Sequence, residues 1–251
     1  MAEINYLDGQ VGQVLGMLEA QGLSENTLVI FSSEQGNSFP FAKWTCYDVG
    51  IHSAFIAKWP GQMKPSSVSD AIIEYSDVVP TFVEIAGGKP IKTLDGKSLV
   101  DLFKGKTDTH KEYAYSLQTT RGINNGSDHY GIRSVVSSQY RYILNLTPDA
   151  SFKNNITEKE PWFDSWREVG KSNKTAATLV KKYQCRPAIE LYDVQKDPFN
   201  MDNLADDPNY KGVINEMNGK LMDWMKACGD KGKQTEMEAM LHMPKWIKKD
   251  K

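Results

Sequence analysis

An amphipathic helix followed by a short apolar strand is the feature that most constrains this chain, because together they make an α/β unit. Apolar residues recur at three- and four-residue steps from Ile4 to Leu18, and Gly22 stands where a left-handed cap would end the helix. The run Thr27–Phe31 is apolar and mostly β-branched or aromatic, as in buried parallel strands. The polar loop Ser32–Asn37 follows directly. Since open α/β sheets build ligand sites at the carboxyl ends of their strands, we expect the functional site in this loop.

The composition excludes several classes of protein. Of 251 residues, 40% are hydrophobic and 25% are charged, as in an ordinary globular protein. The 30 basic and 32 acidic side chains leave a net charge of −2, without the basic excess expected for nucleic-acid binding. No apolar run approaches the roughly 18 residues of a membrane span. Three cysteines are an odd number and too few for a disulfide framework.

The rest of the chain divides into two regions of different character. A strand at Ala54–Trp59, a segment around Ala71–Ile73 and a helix near Val78–Ala86 extend the first layer. After Leu99, strand-like segments separated by Gly, Asn and Ser predict a small antiparallel sheet, and a last strand and a final amphipathic helix follow. These elements are Tyr113–Gln118, Ile132–Val136, Tyr140–Leu146, the strand Glu190–Asp193 and the helix Tyr210–Cys228. The polar stretch Pro148–Thr175 is interpreted as a long excursion with short helices around Trp162–Val169.

Two adjacent residues of the polar loop, Glu34 and Gln35, have side chains that suit a metal ion. A carboxylate and an amide oxygen are hard donors, which calcium and magnesium prefer and soft metals do not. Taken alone, such a pair is more typical of a solvated turn. The motifs around this pair favour a metal-binding role over a solvated turn.

These motifs resemble, in order and in content, those of the sulfatase family. Sulfatases typically carry Ser-Asp-Asn-Gly or Ser-Asp-His-Gly, then Lys-x-Thr-x-Tyr-Glu-x-Gly, then a strand closing in Trp-Pro-Gly, with further motifs downstream. The corresponding segments here are Ser33–Gly36, Lys43–Gly50, Trp59–Gly61, Ser76–Gly87, Leu94–Leu99 and Glu190–Ala205. The chain is identified as similar to the C-terminal portion of a polysaccharide or heparan-type sulfatase.

The resemblance implies an α/β fold, namely the C-terminal part of an alkaline-phosphatase-like sandwich with a smaller α+β lobe. That lobe would consist of a small antiparallel sheet and a C-terminal helix. Residues 1–105 would belong to the catalytic domain and 106–230 to the C-terminal subdomain, with a mobile tail at 231–251. Because a chain that begins mid-domain exposes apolar surface, we expect it to associate or to dissolve poorly.

The resemblance also implies roles for individual residues. Glu34 and Gln35 align with the pair that completes a calcium site for one divalent ion, although both differ from the commoner aspartate and asparagine or histidine. Lys43 aligns with the lysine that holds the sulfate group, and its ammonium would stabilise negative charge on the sulfate oxygens.

Other parts of the family's catalytic machinery do not occur in this sequence. Sulfatases use a cysteine in Cys-x-Pro-Ser-x-Arg, oxidised to formylglycine, and two early aspartates that bind the metal. Cys185 begins a similar run but lacks the arginine, so we reject it as a nucleophile. Cys46 is expected to pack under the loop. We therefore expect formylglycine in a missing N-terminal portion of the same protein, without which this chain would be inactive.

The expected substrate is a sulfated carbohydrate, as a sulfate ester or sulfamate. Arg121 and Arg133, with His129 between them, lie on the lobe that borders the pocket in sulfatases and could bind a carboxylate or a second sulfate. His52 is interpreted as a hydrogen-bonded structural residue rather than a proton donor. The resemblance places the full-length protein in the periplasm or outside the cell.

Two alternatives stay open from the sequence. A phosphodiesterase or phosphonate hydrolase of the same superfamily shares the α/β core and the metal chemistry, but such enzymes tend to use two metals and more histidines. A non-catalytic glycan-binding remnant would account for the missing nucleophile.

Overall fold

The structure is a computed structural model that describes residues 2–34, 36–119 and 130–242. In these residues the α-helices are α1 (Ala2–Ala20), α2 (Asp48–Ile51), α3 (Val78–Ile85), α4 (Val100–Phe103), α5 (Asn155–Lys159), α6 (Pro161–Gly170), α7 (Lys174–Gln184), α8 (Lys211–Ala227) and α9 (Lys233–Glu238). The strands are β1 (Val29–Ser32), β2 (Phe55–Lys58), β3 (Ala114–Gln118), β4 (Ile132–Val136), β5 (Tyr140–Asn145) and β6 (Ile189–Asp193).

The chain forms two compact units that do not follow its linear order. The first consists of the chain up to Ser33 together with Ala54–Lys111, and the second of Glu34–Ser53 and the chain from Glu112 onward. The sequence-based division placed all of residues 1–105 in one domain, whereas the contacts assign Glu34–Ser53 to the second unit.

In the first unit, β1 and β2 form a two-stranded antiparallel sheet. Val29 lies opposite Lys58, and Ser32 lies opposite Phe55. The prediction of a buried parallel strand at Thr27–Phe31 is therefore wrong in direction, and β1 is only half-buried. An apolar run specifies a strand but not the direction of its neighbour, because pairing depends on residues elsewhere in the chain.

Helix α1 ends at the glycine that the sequence indicates. Gly22 has φ of 70°, and the Leu23 N–H donates to the Leu18 carbonyl at 2.9 Å, as in a Schellman cap. None of the residues of α1 is buried. Its exposed large apolar side chains are Ile4, Tyr6, Leu7, Val14 and Met17.

A buried aspartate organises the rest of the first unit. Asp77 is fully buried, and its carboxylate accepts hydrogen bonds from the backbone N–H groups of Glu74 and Lys97, each at 2.8 Å. The Lys111 ammonium lies 2.7 Å from this carboxylate, and His110 Nε2 lies 3.3 Å from it. These partners compensate the cost of burying the charge.

Two neighbours of Asp77 explain why the Ser76–Gly87 motif and the Asp-Gly motif pack together. A Cβ on Gly96 would lie 1.9 Å from the Ser76 carbonyl oxygen, so glycine is required there. The Thr81 hydroxyl donates to the Asp77 carbonyl at 2.6 Å and accepts the Leu99 N–H at 2.8 Å. Both motifs therefore have a structural function in this unit.

In the second unit, a four-stranded antiparallel sheet has the order β3-β4-β5-β6. The predicted sheet, last strand and C-terminal helix are confirmed, and with them the fold class. One face packs on α8, where Val135, Tyr142 and Leu191 are cross-strand neighbours that contact Met217 and Leu221. Helix α8 thus packs on this face of the sheet.

The opposite face of the sheet is covered by Glu34–Ser53 and by α5, α6 and α7. Ile132, Ile143 and Tyr192 alternate with the residues of the α8 face, as the two-residue period of a strand requires. They pack in one cluster with buried aromatic and aliphatic side chains of those segments: Phe41, Tyr47, Phe152, Ile156, Phe163 and Tyr183. Both faces of this sheet are therefore buried.

The start of the expected mobile tail is folded. Helix α9 places Glu236 in the interior, with 2% of its surface exposed. The sequence from 231 onward is polar and lysine-rich, so the burial depends on a distant partner for Glu236 that composition does not reveal.

Asp77→Asn tests the role of the buried carboxylate in the first unit. We expect it to lower the free energy of unfolding by about 3 kcal/mol, since the amide nitrogen would face one of the two backbone N–H donors and Lys111 would keep only Glu74 as a charged partner. Urea unfolding followed by circular dichroism measures this loss. The matched control is Asp101→Asn, which removes an exposed carboxylate paired with Lys106 and should leave the midpoint unchanged. Equal stability of the two variants would contradict the assignment.

Candidate functional site

Two of the predicted site residues, Glu34 and Lys43, lie in one segment of the second unit, Glu34–Ser53. Glu34 is exposed at its start, and its backbone carbonyl accepts a hydrogen bond from the Ser53 hydroxyl at 3.1 Å. Lys43 is partly exposed within residues 36–50, which we call the lysine loop. Gln35 lies outside the described residues.

The lysine loop closes on itself at its two ends. The Gly36 N–H donates to the Gly50 carbonyl at 3.3 Å. A Cβ on Gly36 would lie 2.1 Å from the Val49 carbonyl oxygen, so any side chain at this position would force the ends apart. The end of the motif that contains Glu34 is in this way joined to the end of the lysine motif.

Two residues that flank Lys43 have left-handed backbone conformations. The φ angle is 63° at Phe41 and 66° at Trp44. For residues other than glycine such conformations cost roughly 1–3 kcal/mol each and persist only where the surrounding structure imposes them. Here the Phe41 side chain is buried, and the Thr45 hydroxyl donates to the Ala42 carbonyl at 2.7 Å. Lys43 is therefore presented between two strained positions.

The Lys43 side chain contacts an aromatic ring. Its Nζ lies 5.3 Å from the ring centroid of Trp44, within the range of a cation–π interaction. This contact orients the ammonium group while leaving the side chain partly exposed to solvent. A cation held in this way can bind an anion such as sulfate.

Tyr47 connects the lysine loop to the sheet by a buried hydrogen bond. Its hydroxyl donates to Glu190 Oε2 at 2.8 Å, and both residues are 1% exposed. Tyr192 donates to the same oxygen at 2.5 Å, and Asn145 Nδ2 donates to Oε1 at 2.7 Å. Burial, and then the negative charge of Glu190, raise the pKa of Tyr47 well above its usual value. The Tyr47 hydroxyl therefore remains a donor at any physiological pH.

Asp48 provides a second connection. Its backbone N–H donates to Asn200 Oδ1 at 2.7 Å, and its carboxylate accepts from Arg141 Nη2 at 2.7 Å and lies 3.1 Å from His52 Nδ1. Burial alone would raise the pKa of Asp48, but the hydrogen bonds from His52 and Arg141 outweigh it and lower that pKa. The hydrogen bond to Asp48 raises the pKa of His52. His52 thus has the hydrogen-bonded structural role that the sequence predicts.

Cys46, inside the lysine motif, does not have the character of a nucleophile. Cys46 is buried in the core, and burial raises the pKa of its thiol to about 11, so it stays protonated at neutral pH. This confirms that it packs under the loop. Cys185 is exposed, while the neighbouring Arg186 is buried with its guanidinium carbon 5.0 Å from the ring centroid of Tyr47.

The structure gives Arg133 a structural role that the sequence did not predict. Its side chain is 3% exposed, and its Nε and Nη2 donate to Asp230 and Glu236 at 2.5 Å and 2.8 Å. Because these carboxylates occupy the guanidinium, the arrangement does not favour the expected contact with substrate. Arg121 and His129, the other two expected substrate-binding residues, lie outside the described residues.

The described residues offer only part of a metal site. Glu34 supplies a carboxylate of the kind that calcium prefers. Among the residues that the structure describes, no group of three or more His, Cys, Asp or Glu side chains is arranged to hold a metal ion. Calcium takes six to eight oxygen ligands as a rule, so the described residues alone do not complete such a site.

Sequence reasoning missed the residues that hold the lysine loop. Glu190 and Asn200 were noted only as parts of a terminal motif, and Arg141 was not singled out. The available signal was the polar residue Glu190 inside an otherwise apolar strand, since a buried carboxylate requires partners.

Comparison with known proteins gives a consistent result. Residues 36–154 match a family model described as N-sulphoglucosamine sulphohydrolase, C-terminal. An ulvan-active sulfatase of Formosa agariphila is 37% identical over 221 residues, which cover 88% of this chain and 41% of the relative.

Solved structures show the same fold. A structure described as a complex with its substrate D-glucosamine-2-N,6-O-disulfate has a TM-score of 0.66 at 19% identity and covers 91% of this chain and 40% of its own. A phosphonate monoester hydrolase from Silicibacter pomeroyi has a TM-score of 0.61 at 18% identity, covering 88% and 38%. The chain spans about 40% of the length of the relatives it matches.

The described helices were also compared with the requirements of a membrane span. None of them is both long enough and apolar enough to cross a bilayer.

The two described histidines with shifted pKa values give a test of the Asp48 contacts. NMR titration should show His52 above, and His110 below, the value of about 6.5 for an unperturbed histidine. Burial is the main cause for His110, whereas Asp48 is the main cause for His52. Because folding raises the pKa of His52, its contribution to stability is fully present below about 6.5 and is lost as pH rises through the folded value.

Asp48→Asn should return the pKa of His52 toward 6.5 and leave His110 unchanged. An unaltered His52 titration in this variant would show that the contact with Asp48 is not formed in solution.

Proposed function

We propose that this chain, which is similar to the C-terminal portion of sulfatases, serves as that portion of an enzyme that hydrolyses the sulfate esters of a carbohydrate. The observation that carries the proposal is the backbone of the lysine loop. It is strained on either side of a partly exposed Lys43 and is hydrogen-bonded to the sheet through Tyr47. The matching relatives support a sulfated glycan as substrate, because their names refer to ulvan and to sulfated glucosamine.

In this proposal Lys43 binds the sulfate group. Its ammonium is a compact charge that stabilises the negative charge that builds on the sulfate oxygens as the ester bond breaks. The backbone of the lysine loop orients the group in advance, so little reorganisation is needed in the transition state. The cation–π contact with the Trp44 ring restricts the position of the Lys43 ammonium group.

Other catalytic groups are proposed to come from outside this chain. The sequence contains no Cys-x-Pro-Ser-x-Arg motif, so the formylglycine nucleophile would be contributed by the N-terminal portion of the protein. Glu34 and Gln35 are proposed to contribute two oxygen ligands to one calcium ion. When bound, such an ion would neutralise charge on the sulfate oxygens.

The proposed substrate indicates where the full-length protein acts. Sulfated polysaccharides are too large and too charged to cross a bilayer unaided, so we propose that the full-length protein acts in the periplasm or outside the cell.

The phosphonate hydrolase alternative receives no separate support. Its structural likeness at 18% identity shows the common fold alone, whereas the sequence relative at 37% identity is a sulfatase. A non-catalytic glycan-binding role is an outcome of the experiment below.

A chimeric enzyme tests the proposed function. This chain would replace the corresponding C-terminal part of the ulvan-active sulfatase, and sulfate release from ulvan oligosaccharides would be measured. We expect the chimera to be active and the isolated chain to be inactive. In the chimera, Lys43→Ala should lower kcat/KM by roughly 10²–10³-fold, the effect of removing one group that stabilises the transition state.

The matched control is Lys64→Ala, which removes an exposed lysine away from the motifs and should leave the rate unchanged. Equal rates in the two variants would refute the role of Lys43. A folded chimera that binds ulvan oligosaccharides without releasing sulfate would favour the glycan-binding alternative.

A further inference from the structure

The backbone around Lys43 is held by contacts within the lysine loop and by contacts with other elements. Phe41 and Trp44, on either side of it, have positive φ angles, and the only regular element in the lysine loop is the short helix α2 that begins at Asp48. A loop of this kind would relax to ordinary backbone angles unless contacts with other elements opposed it. Two of the contacts with other elements come from polar residues of the C-terminal motif, Glu190 and Asn200.

Glu190 is suited to hold the loop because its carboxylate is buried and saturated with donors. On β6 it faces the same side of the sheet as Tyr192, and both side chains meet Tyr47. Asn145 of the adjacent strand β5 is the third donor to the Glu190 carboxylate. Three donors to one carboxylate leave it little freedom to move, so the Tyr47 hydroxyl is fixed relative to the sheet.

Asn200 acts on the next residue of the loop. It is fully buried, and its own φ of 55° is one that asparagine tolerates better than most residues. Its side-chain oxygen accepts the Asp48 N–H, while its backbone carbonyl accepts a hydrogen bond from Lys182 Nζ at 2.7 Å. Arg141 adds an ion pair to the Asp48 carboxylate. Asp48 is thus held through both backbone and side chain.

We propose that Glu190 and Asn200 are positioning residues for Lys43, which act by holding Tyr47 and Asp48 and thereby fixing the strained backbone of the lysine loop. They touch neither Lys43 nor any reacting group, so their effect is indirect. That this positioning of Lys43 serves catalysis rests on the proposed function. The positioning itself is a property of this chain and can be tested without substrate.

The test compares two buried tyrosines that face opposite sides of one sheet. Tyr47→Phe removes the hydroxyl that reaches Glu190, and Tyr142→Phe removes one that donates to Asn218 at 3.1 Å on the α8 face. Both side chains are at most 1% exposed, so the two variants lose one buried hydrogen bond each. They differ in their connection to the lysine loop and in the acceptor, which is a carboxylate for Tyr47 and a neutral amide for Tyr142.

Hydrogen exchange and NMR on the full chain provide the readouts. We expect Tyr47→Phe to speed amide exchange at residues 43–50 by roughly tenfold relative to Tyr142→Phe, as for the loss of one hydrogen bond to a charged group. The ring-current shift that Trp44 imposes on the Lys43 side-chain protons should also shrink in Tyr47→Phe alone. A merely structural role for Tyr47 would alter stability in both variants and this shift in neither.

A second pair of variants covers the case in which Tyr47→Phe does not fold. Asn200→Ala removes the acceptor of the Asp48 N–H, whereas Asn200→Asp retains an acceptor, with the Lys182 ammonium nearby to offset the added charge. We expect Asn200→Ala to diminish the Lys43 shift and Asn200→Asp to restore it in part. If Tyr47→Phe and Asn200→Ala both leave the loop amides and the Lys43 shift as in the parent chain, the proposal is wrong.

The outcomes separate this inference from the proposed function. A rigid loop that loosens in Tyr47→Phe, together with a fully active Lys43→Ala chimera, would support positioning and refute the role of Lys43 in sulfate hydrolysis. A loop that is unaffected by Tyr47→Phe, together with an inactive Lys43→Ala chimera, would support the function and refute positioning by Glu190.

Discussion

The carboxylate of Glu190 is the point on which the arrangement of the second unit depends. It is an ionisable group with almost no contact with solvent, and the cost of burying it is offset only while its donors stay in place. Those donors come from β5, from β6 itself and from the lysine loop. The same interaction therefore pairs two neighbouring strands and attaches to them a loop that lies 143 residues earlier in the chain.

The hydrogen bonds of Glu190 and Asn200 connect the C-terminal motif to the lysine motif, which lies far from it in the sequence. The lysine loop has internal hydrogen bonds, such as that from the Lys43 N–H to the Asn37 carbonyl, and the C-terminal motif adds a rigid sheet with polar side chains that reach Tyr47 and Asp48. A hydrophobic contact alone would hold the loop near the sheet without fixing its orientation, because apolar packing is not directional. Hydrogen bonds to a buried carboxylate add direction, which a residue proposed to bind a sulfate group requires. In the first unit Asp77 has a comparable role for two other motifs.

The elements of this fold were largely predictable from the sequence, because they depend on local patterns. Strand-like segments separated by Gly, Asn and Ser indicated β4 and β5, helical spacing indicated α8, and Gly22 marked the end of α1. Partners that lie far apart in the chain were not predictable. The direction of β1, the burial of Arg133 and the folding of α9 each depend on a segment elsewhere in the chain. Lys43 and Glu34 were identified through motifs, whereas Glu190 could be recognised as a partner of Tyr47 only once both were placed.

A double-mutant cycle on Tyr47→Phe and Glu190→Gln tests the central claim most directly. The free energy of unfolding of the parent chain, both single variants and the double variant would be measured in urea. If the buried hydrogen bond couples the lysine loop to the sheet, the coupling free energy should be about 1.5 kcal/mol or more. Additive effects, with a coupling below about 0.5 kcal/mol, would show that the two residues act independently and would contradict the account.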